Sequence, residues 1–327
     1  MSEGQASPVS GGLRHVAEGP ENSYFPGPSP MPPVRVVGVT MTHRPGWIEL
    51  DGVDNMRDVG GLPTSGGGTV MPGRLIRSDN LQELPPASVR HLVDDLGVTD
   101  VVDLRTVVEV AKEGDGPMVT EPGVRIHHHT LYTEDTAETG IPAGERKLPW
   151  ESDRNLGTAA EATPRREDRR EERHDAYWSK HYLGYLDRRP DSVVAALRAI
   201  GEADGAVLVH CAAGKDRTGT IVGLALLVVG VTPEAVIADF AASAERVPRI
   251  LERLARHPAY AANLKGKTVA QQEPRAETMR LLVDALEREG GAEAWLLRQG
   301  WTAEDTRRLR AKLLEPTEPT EPQSPPA

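Results

Sequence analysis

A chain of 327 residues with a single cysteine cannot close an internal disulfide or build a cysteine-rich metal site. The lone thiol fits a reducing compartment, so a cytoplasmic location is expected. Basic residues are too few to suggest nucleic acid as a partner: 38 Lys and Arg stand against 49 Asp and Glu, for a formal net charge of −11. No run of 18 apolar residues occurs and no apolar stretch opens the chain, so neither a membrane span nor a signal peptide is expected. Export by a route without such a signal stays open. Hydrophobic residues make up 38% of the chain, enough for a core, while 27 Pro and 32 Gly imply long irregular segments.

The one cysteine sits in Val209-His210-Cys211-Ala212-Ala213-Gly214-Lys215-Asp216-Arg217-Thr218-Gly219. The apolar run Ala206–Val209 before it reads as a buried strand, and the run from Arg217 onward reads as a buried helix. The segment between them joins a strand end to a helix start. Its backbone N–H groups lack partners within the helix and can face an anion, which the helix dipole also favours. A thiol placed there is expected to lose its proton well below the usual value of about 8.5 and to act as a thiolate nucleophile. The planar fork of Arg217 can bind two phosphate oxygens. Thr218 offers a hydroxyl to the sulfur, and His210 is expected to orient the loop through a hydrogen bond.

The string H-C-x-x-G-x-x-R-[ST]-G resembles the signature loop of cysteine-dependent protein tyrosine phosphatases. The fuller HCAAGKDRTG is most similar to an atypical bacterial branch of broad specificity, tyrosine or dual-specificity and phosphoinositide phosphatases. Asn55-Met56-Arg57-Asp58-Val59-Gly60-Gly61, Pro72-Gly73-Arg74-Leu75-Ile76-Arg77-Ser78 and Val101-Val102-Asp103-Leu104-Arg105-Thr106 resemble further motifs of that branch, so the likeness runs from about Trp47 to Leu314. The resemblance implies phosphomonoester hydrolysis without a cofactor, on phosphotyrosine and in addition phosphoserine/threonine or phosphoinositides. The phosphate would sit on Cys211, Ala212, Ala213, Gly214, Lys215, Asp216 and Arg217. Larger tyrosine phosphatases take their general acid from a mobile W-P-D loop, and no W-P-D occurs here. Asp216, in the loop position that this branch uses, is the preferred acid; Asp103 is the alternative. Lys215 is expected at the rim, where its charge would favour polyanionic headgroups.

Alternation of strands and helices argues independently for an α/β fold with a mainly parallel central sheet flanked by helices. Such a sheet brings the strand ends at Asp103-Leu104-Arg105 and His210-Cys211 to one edge. Residues 1–45 read as a disordered Pro/Gly-rich tail, 46–314 as the phosphatase domain and 315–327 as a Pro-rich tail. Residues 134–174 are poor in apolar residues and read as a flexible charged insertion, its run from Arg165 to Arg173 a solvated face. Residues 247–270 occupy the place of the family's extra helical lid.

Other residues draw plainer expectations. Arg57 and Asp58 would tie an N-terminal loop to the body. His127-His128-His129 alternate faces on a strand, so no metal site is expected. Tyr177, Trp178, Tyr182 and Tyr185 fit a buried helix face. Two other functions compete: a catalytically silent phosphate-binding module, and a rhodanese-like sulfur transferase, whose loop does not usually end in Arg-Ser/Thr-Gly.

Overall fold

The computed structural model describes residues 46–134, 141–152 and 167–315, without the side chains of residues 151, 152 and 167–170. The tails at 1–45 and 316–327, and residues 135–140 and 153–166 of the expected insertion, lie outside the described residues. Six strands form one sheet: β1 (Gly46–Trp47), β2 (Arg57–Asp58), β3 (Leu75–Ser78), β4 (Val98–Asp103), β5 (Arg125–His128) and β6 (Ala206–His210), in the order β1-β2-β3-β6-β4-β5. The pairs β3–β6, β6–β4 and β4–β5 are parallel, and β1 and β2 add an antiparallel edge. This is the expected α/β architecture with a mainly parallel centre.

The two faces of the sheet bury alternate residues, as the two-residue period of a strand requires. Val207 and Val209 of β6, Val102 of β4 and Leu75 of β3 enter a large core. On that side lie α5 (Pro190–Glu202), α6 (Asp216–Val228), α7 (Pro233–Ala242), α11 (Ala276–Arg288), α12 (Ala292–Arg298) and α13 (Ala303–Leu313). Ala206, Leu208, Val101 and Ile76 face the other way, against α1 (Pro86–Arg90) and its continuation as a π-helical turn, His91–Asp95.

Local signals set the helix starts that matter for the site. Thr106 caps α2 (Val107–Glu113) in a reciprocal box with Glu109, and Thr232 with Pro233 opens α7. Gly219 lets α6 approach α7: a Cβ there would lie 2.7 Å from a ring carbon of Phe240.

Two differences from the sequence reading concern the insertion. Helix α4 (Glu167–Arg188) begins inside it, within residues expected to be flexible. Arg and Glu are good helix formers, and Arg275 lies 2.9 Å from both Glu171 and Asp175 of this helix. Second, Pro149–Ser152 forms a helical turn (α3) whose neighbour Leu148 is buried. Few apolar residues occur in this stretch, but Leu148 and Trp150 pack in the cluster that holds Ala212 and Ala213 of the cysteine loop.

Candidate active site

In register, Asp103 of β4 pairs with His210 of β6, and the Leu104 amide donates to the His210 carbonyl at 2.9 Å. The two strand ends therefore meet at one edge of the sheet, with Cys211 in the next position.

The loop after β6 is held by its carbonyls. Asn80 N–H donates to Ala212 O at 3.0 Å, Asn55 Nδ2 to Ala213 O at 3.0 Å, and Arg77 Nη2 to Gly214 O at 2.8 Å. His210 Nδ1 lies 3.3 Å from the Cys211 carbonyl. With successive carbonyls turned outward to the scaffold, the amides face the concave side. Among the described residues, none from Ala212 to Arg217 donates to a protein acceptor. Gly214 is required at the bend: its φ is +67°, and a Cβ would sit 2.6 Å from the backbone of Ser78 and Asp79.

The scaffold is itself built from buried charge. Arg57 and Arg77 share Asp239 of α7, at 2.8 and 2.5 Å, and Arg57 Nη1 donates to Asn55 Oδ1 at 2.9 Å. Asp58 accepts from the amides of Gly60 and Gly73. Arg57 and Asp58 thus tie the N-terminal loop to the body, as expected. Asp79 accepts from the Asp54 and Asn55 amides and from Arg253.

Arg217 is clamped by a residue the sequence reading did not single out. Its Nη1 donates to Glu109 Oε2 at 2.6 Å and to Leu104 O at 3.2 Å, and its Nη2 to Glu109 Oε1 at 2.9 Å. Three of its five N–H groups are engaged. The Nε–H and the second Nη2–H remain, and they form the side fork that matches two oxygens of one phosphate. Burial opposes the charge on Glu109, but Arg217 outweighs it and holds the carboxyl below its usual range; Arg217 in turn is held well above the ordinary arginine value. Tyr132 and Trp150 place their rings 5.6 and 5.8 Å from the guanidinium carbon. The signal for Glu109 was present as the Thr106-x-x-Glu109 capping pattern, which marks a helix start beside the D-L-R strand end.

The two candidate acids are unlike. Asp103 is buried and bound by Arg105 through Nε at 3.0 Å and Nη2 at 2.6 Å, with the Arg105 amide at 2.9 Å. Burial would raise its pKa, yet His210 and the Arg105 guanidinium beside it hold the carboxyl well below the usual range. Asp216 is partly exposed; its Oδ1 accepts from the buried Tyr182 hydroxyl at 2.5 Å, and its Oδ2 lies 3.4 Å from Lys215 Nζ. Burial and the Asp216 charge hold the Tyr182 phenol well above its usual value, so it stays a donor. Tyr182 and Tyr185 are buried on one face of α4, as expected, and the first reaches the site.

Two expectations are corrected. Lys215 is not at an open rim: it is 4% exposed, donates to Gln272 O at 2.7 Å and lies under the Trp178 ring. The Thr218 hydroxyl does not bond the sulfur; it is buried with no partner among the described residues. His210 supports the loop as expected, its Nδ1 at the Cys211 carbonyl, and burial pushes its pKa down to about 4. In the histidine run, His127 bonds Asp100 at 2.8 Å and His128 the Arg105 carbonyl at 2.7 Å.

A cover closes the site. Ile250 and Leu254 of α8 (Val247–Leu254), Ala259 and Tyr260 of α9 (Pro258–Leu264), and Leu148 pack with Ala212 and Ala213. Cys211 is 2% exposed beneath it. A short α10 (Val269–Gln272) completes the cover and supplies the Gln272 carbonyl to Lys215. No described helix is long and apolar enough to cross a membrane.

The model of the tyrosine phosphatase family matches residues 48–315. Among curated relatives, the chain is 34% identical to the triple specificity protein phosphatase PtpB of Mycobacterium tuberculosis, over 63% of this chain and 72% of that protein. It is also 34% identical to a tyrosine-protein phosphatase of Nostoc commune, over 36% of this chain and 42% of that one.

Proposed function

The chain belongs to the tyrosine phosphatase family, and we propose that it hydrolyses phosphomonoesters in two steps through a phosphocysteine at Cys211. The Cys211 sulfur attacks phosphorus in line with the ester oxygen; the S–P bond forms as the P–O bond breaks. Asp216 gives its proton to the departing oxygen, then as carboxylate takes one from the water that attacks the phosphocysteine. The S–P bond breaks, and inorganic phosphate and the thiolate are released. The loop amides and the side fork of Arg217 stabilise the equatorial oxygens through both steps. The observation that carries this reading is the outward anchoring of the loop carbonyls beside an Arg217 with one fork unengaged.

Asp216 is the general acid of this scheme. Asp103 is buried with both carboxyl oxygens bound by Arg105, so it is not free to reach the leaving oxygen. It serves instead to fix the β4 end beside the loop. A silent phosphate-binding module needs neither a thiol nor a carboxylic acid over its oxyanion site, and a sulfur transferase needs no acid for an alkoxide. Both are disfavoured by Asp216 standing on its own tyrosine donor.

The substrates of this reading are phosphotyrosine first, with phosphoserine, phosphothreonine and phosphoinositides as further esters. The triple specificity named for the mycobacterial relative supports a range wider than one kind of ester. Burial of Cys211 supports a cover that parts to admit substrate. Arg253 of α8 is buried and bonds Asp79 and the carbonyls of Gly52 and Asn80, so α8 is anchored to the body. The test is hydrolysis of a generic aryl phosphate, with a panel of phosphopeptides and phosphoinositides. Activity that survives a chelator, is blocked by vanadate and vanishes in Cys211→Ser supports the proposal; undiminished activity in Cys211→Ser refutes it.

A further inference from the structure

The cover carries two buried donors with no acceptor. The Tyr260 hydroxyl on α9 and the Trp150 indole N–H on α3 have no hydrogen-bond partner among the described residues. Such groups are rarely left unpaired, because burying them strips water without replacing it. Both belong to the cluster that packs on Ala212 and Ala213 of the cysteine loop. The charges that act on the Tyr260 hydroxyl are those of Glu109, Arg217, Arg105 and Glu113. The neighbouring carboxylates are already engaged. Glu109 takes Arg217 and the Thr106 amide; Glu113 takes His257 Nδ1 and the Ala259 amide.

The position of Tyr260 is set by the helix that sets Arg217. The Glu113 contacts pin the start of α9 to the end of α2, and Glu109 one turn earlier on α2 holds the guanidinium. Trp150 lies against the same guanidinium. Two buried neutral donor atoms near an arginine with an unengaged fork suit an oxyanion whose charge the arginine has already attracted.

We propose that Tyr260 and Trp150 are substrate-contacting residues, donating from the closed cover to non-bridging oxygens of the phosphoryl group held in the cysteine loop. The closed cover is then the reacting state and not only a shield against solvent. The inference rests on the phosphatase reading above, and adds that the cover supplies part of its oxyanion site.

The test uses the full chain with Tyr260→Phe and Trp150→Phe made separately. It measures kcat/KM on an aryl phosphate, inhibition by vanadate, and the melting temperature. The expected result for Tyr260→Phe is a loss of about 10- to 100-fold in kcat/KM, the range of one hydrogen bond to a charged acceptor. Vanadate inhibition should weaken by a similar factor. Melting should be unchanged or higher, since the variant deletes an unpaired buried hydroxyl and keeps the ring. Trp150→Phe should weaken vanadate in the same way. Wild-type kcat/KM and vanadate inhibition in both variants would overturn the proposal. So would a loss of activity accompanied only by a fall in melting temperature, with vanadate affinity intact. Failure of the phosphatase reading looks different: the wild-type chain would then show neither turnover nor vanadate binding, and Cys211→Ser would change nothing.

Discussion

Glu109 grips the end fork of Arg217, at 2.6 and 2.9 Å, and leaves the Nε–H and one Nη2–H of the side fork unengaged. One carboxylate thereby decides which pair of N–H groups a phosphate can meet. Glu109→Gln keeps the shape and removes the charge. It should lower kcat/KM by roughly 10- to 100-fold and cost about 3 kcal/mol of stability, the scale for breaking a buried ion pair. Aryl phosphate kinetics and denaturant melts check both. Because the folded carboxyl is held below its usual range, the stability from Glu109 is present above the unfolded value near 4.3 and is lost as pH falls through the folded one. Wild type and Glu109→Gln should therefore converge in stability at low pH.

Asp216 and Tyr182 act as a unit, joined at 2.5 Å. Asp216→Asn should cut kcat by about 10²- to 10⁴-fold on alkyl phosphates, whose leaving oxygen needs a proton, and far less on p-nitrophenyl phosphate. Tyr182→Phe removes the donor that fixes Oδ1. It should show the same dependence on leaving group, with a smaller loss than Asp216→Asn. Equal losses on good and poor leaving groups would remove Asp216 from the acid role.

His210 is buried and its folded pKa lies near 4, below the unfolded value of about 6.5. The unfolded chain therefore binds the extra proton first, and stability falls as pH drops from about 6.5 to 4. The loss attributable to His210 is up to about 3 kcal/mol. His210→Asn should flatten the stability profile across that window, as read by denaturant midpoints at fixed ionic strength.

Gly214→Ala should be severe. The backbone is in the left-handed region and the added methyl would meet the chain of Ser78 and Asp79 at 2.6 Å. A cost of about 2 kcal/mol or more is expected. Loss of vanadate binding should exceed the loss of stability, because the bend aims the loop amides. Calorimetry with and without vanadate separates the two.

Much of this was legible in the sequence because it is local. A strand, a glycine bend, an arginine and a helix follow one another within Ala206–Val228, and the threonine caps at 106, 232 and 302 lie where helices begin. What was hidden is long-range. Glu109 meets Arg217 across 108 residues, and Lys215 meets the Gln272 carbonyl across 57; neither contact has a period or a spacing. Lys215 read as a rim charge because nothing nearby in sequence shows that α10 folds over it. Trp150 sits in a stretch whose low apolar content suggested a loop, yet its partners are Tyr132 and Arg217.

The most direct measurement is a rapid acid quench of the full chain turning over an aryl phosphate, followed by mass spectrometry of the peptide bearing Cys211. The account predicts one phosphoryl group on that cysteine, accumulating when Asp216→Asn slows the attack of water, and none in Cys211→Ser. Turnover with no phosphate on Cys211, or with the phosphoryl group on another side chain, would contradict it.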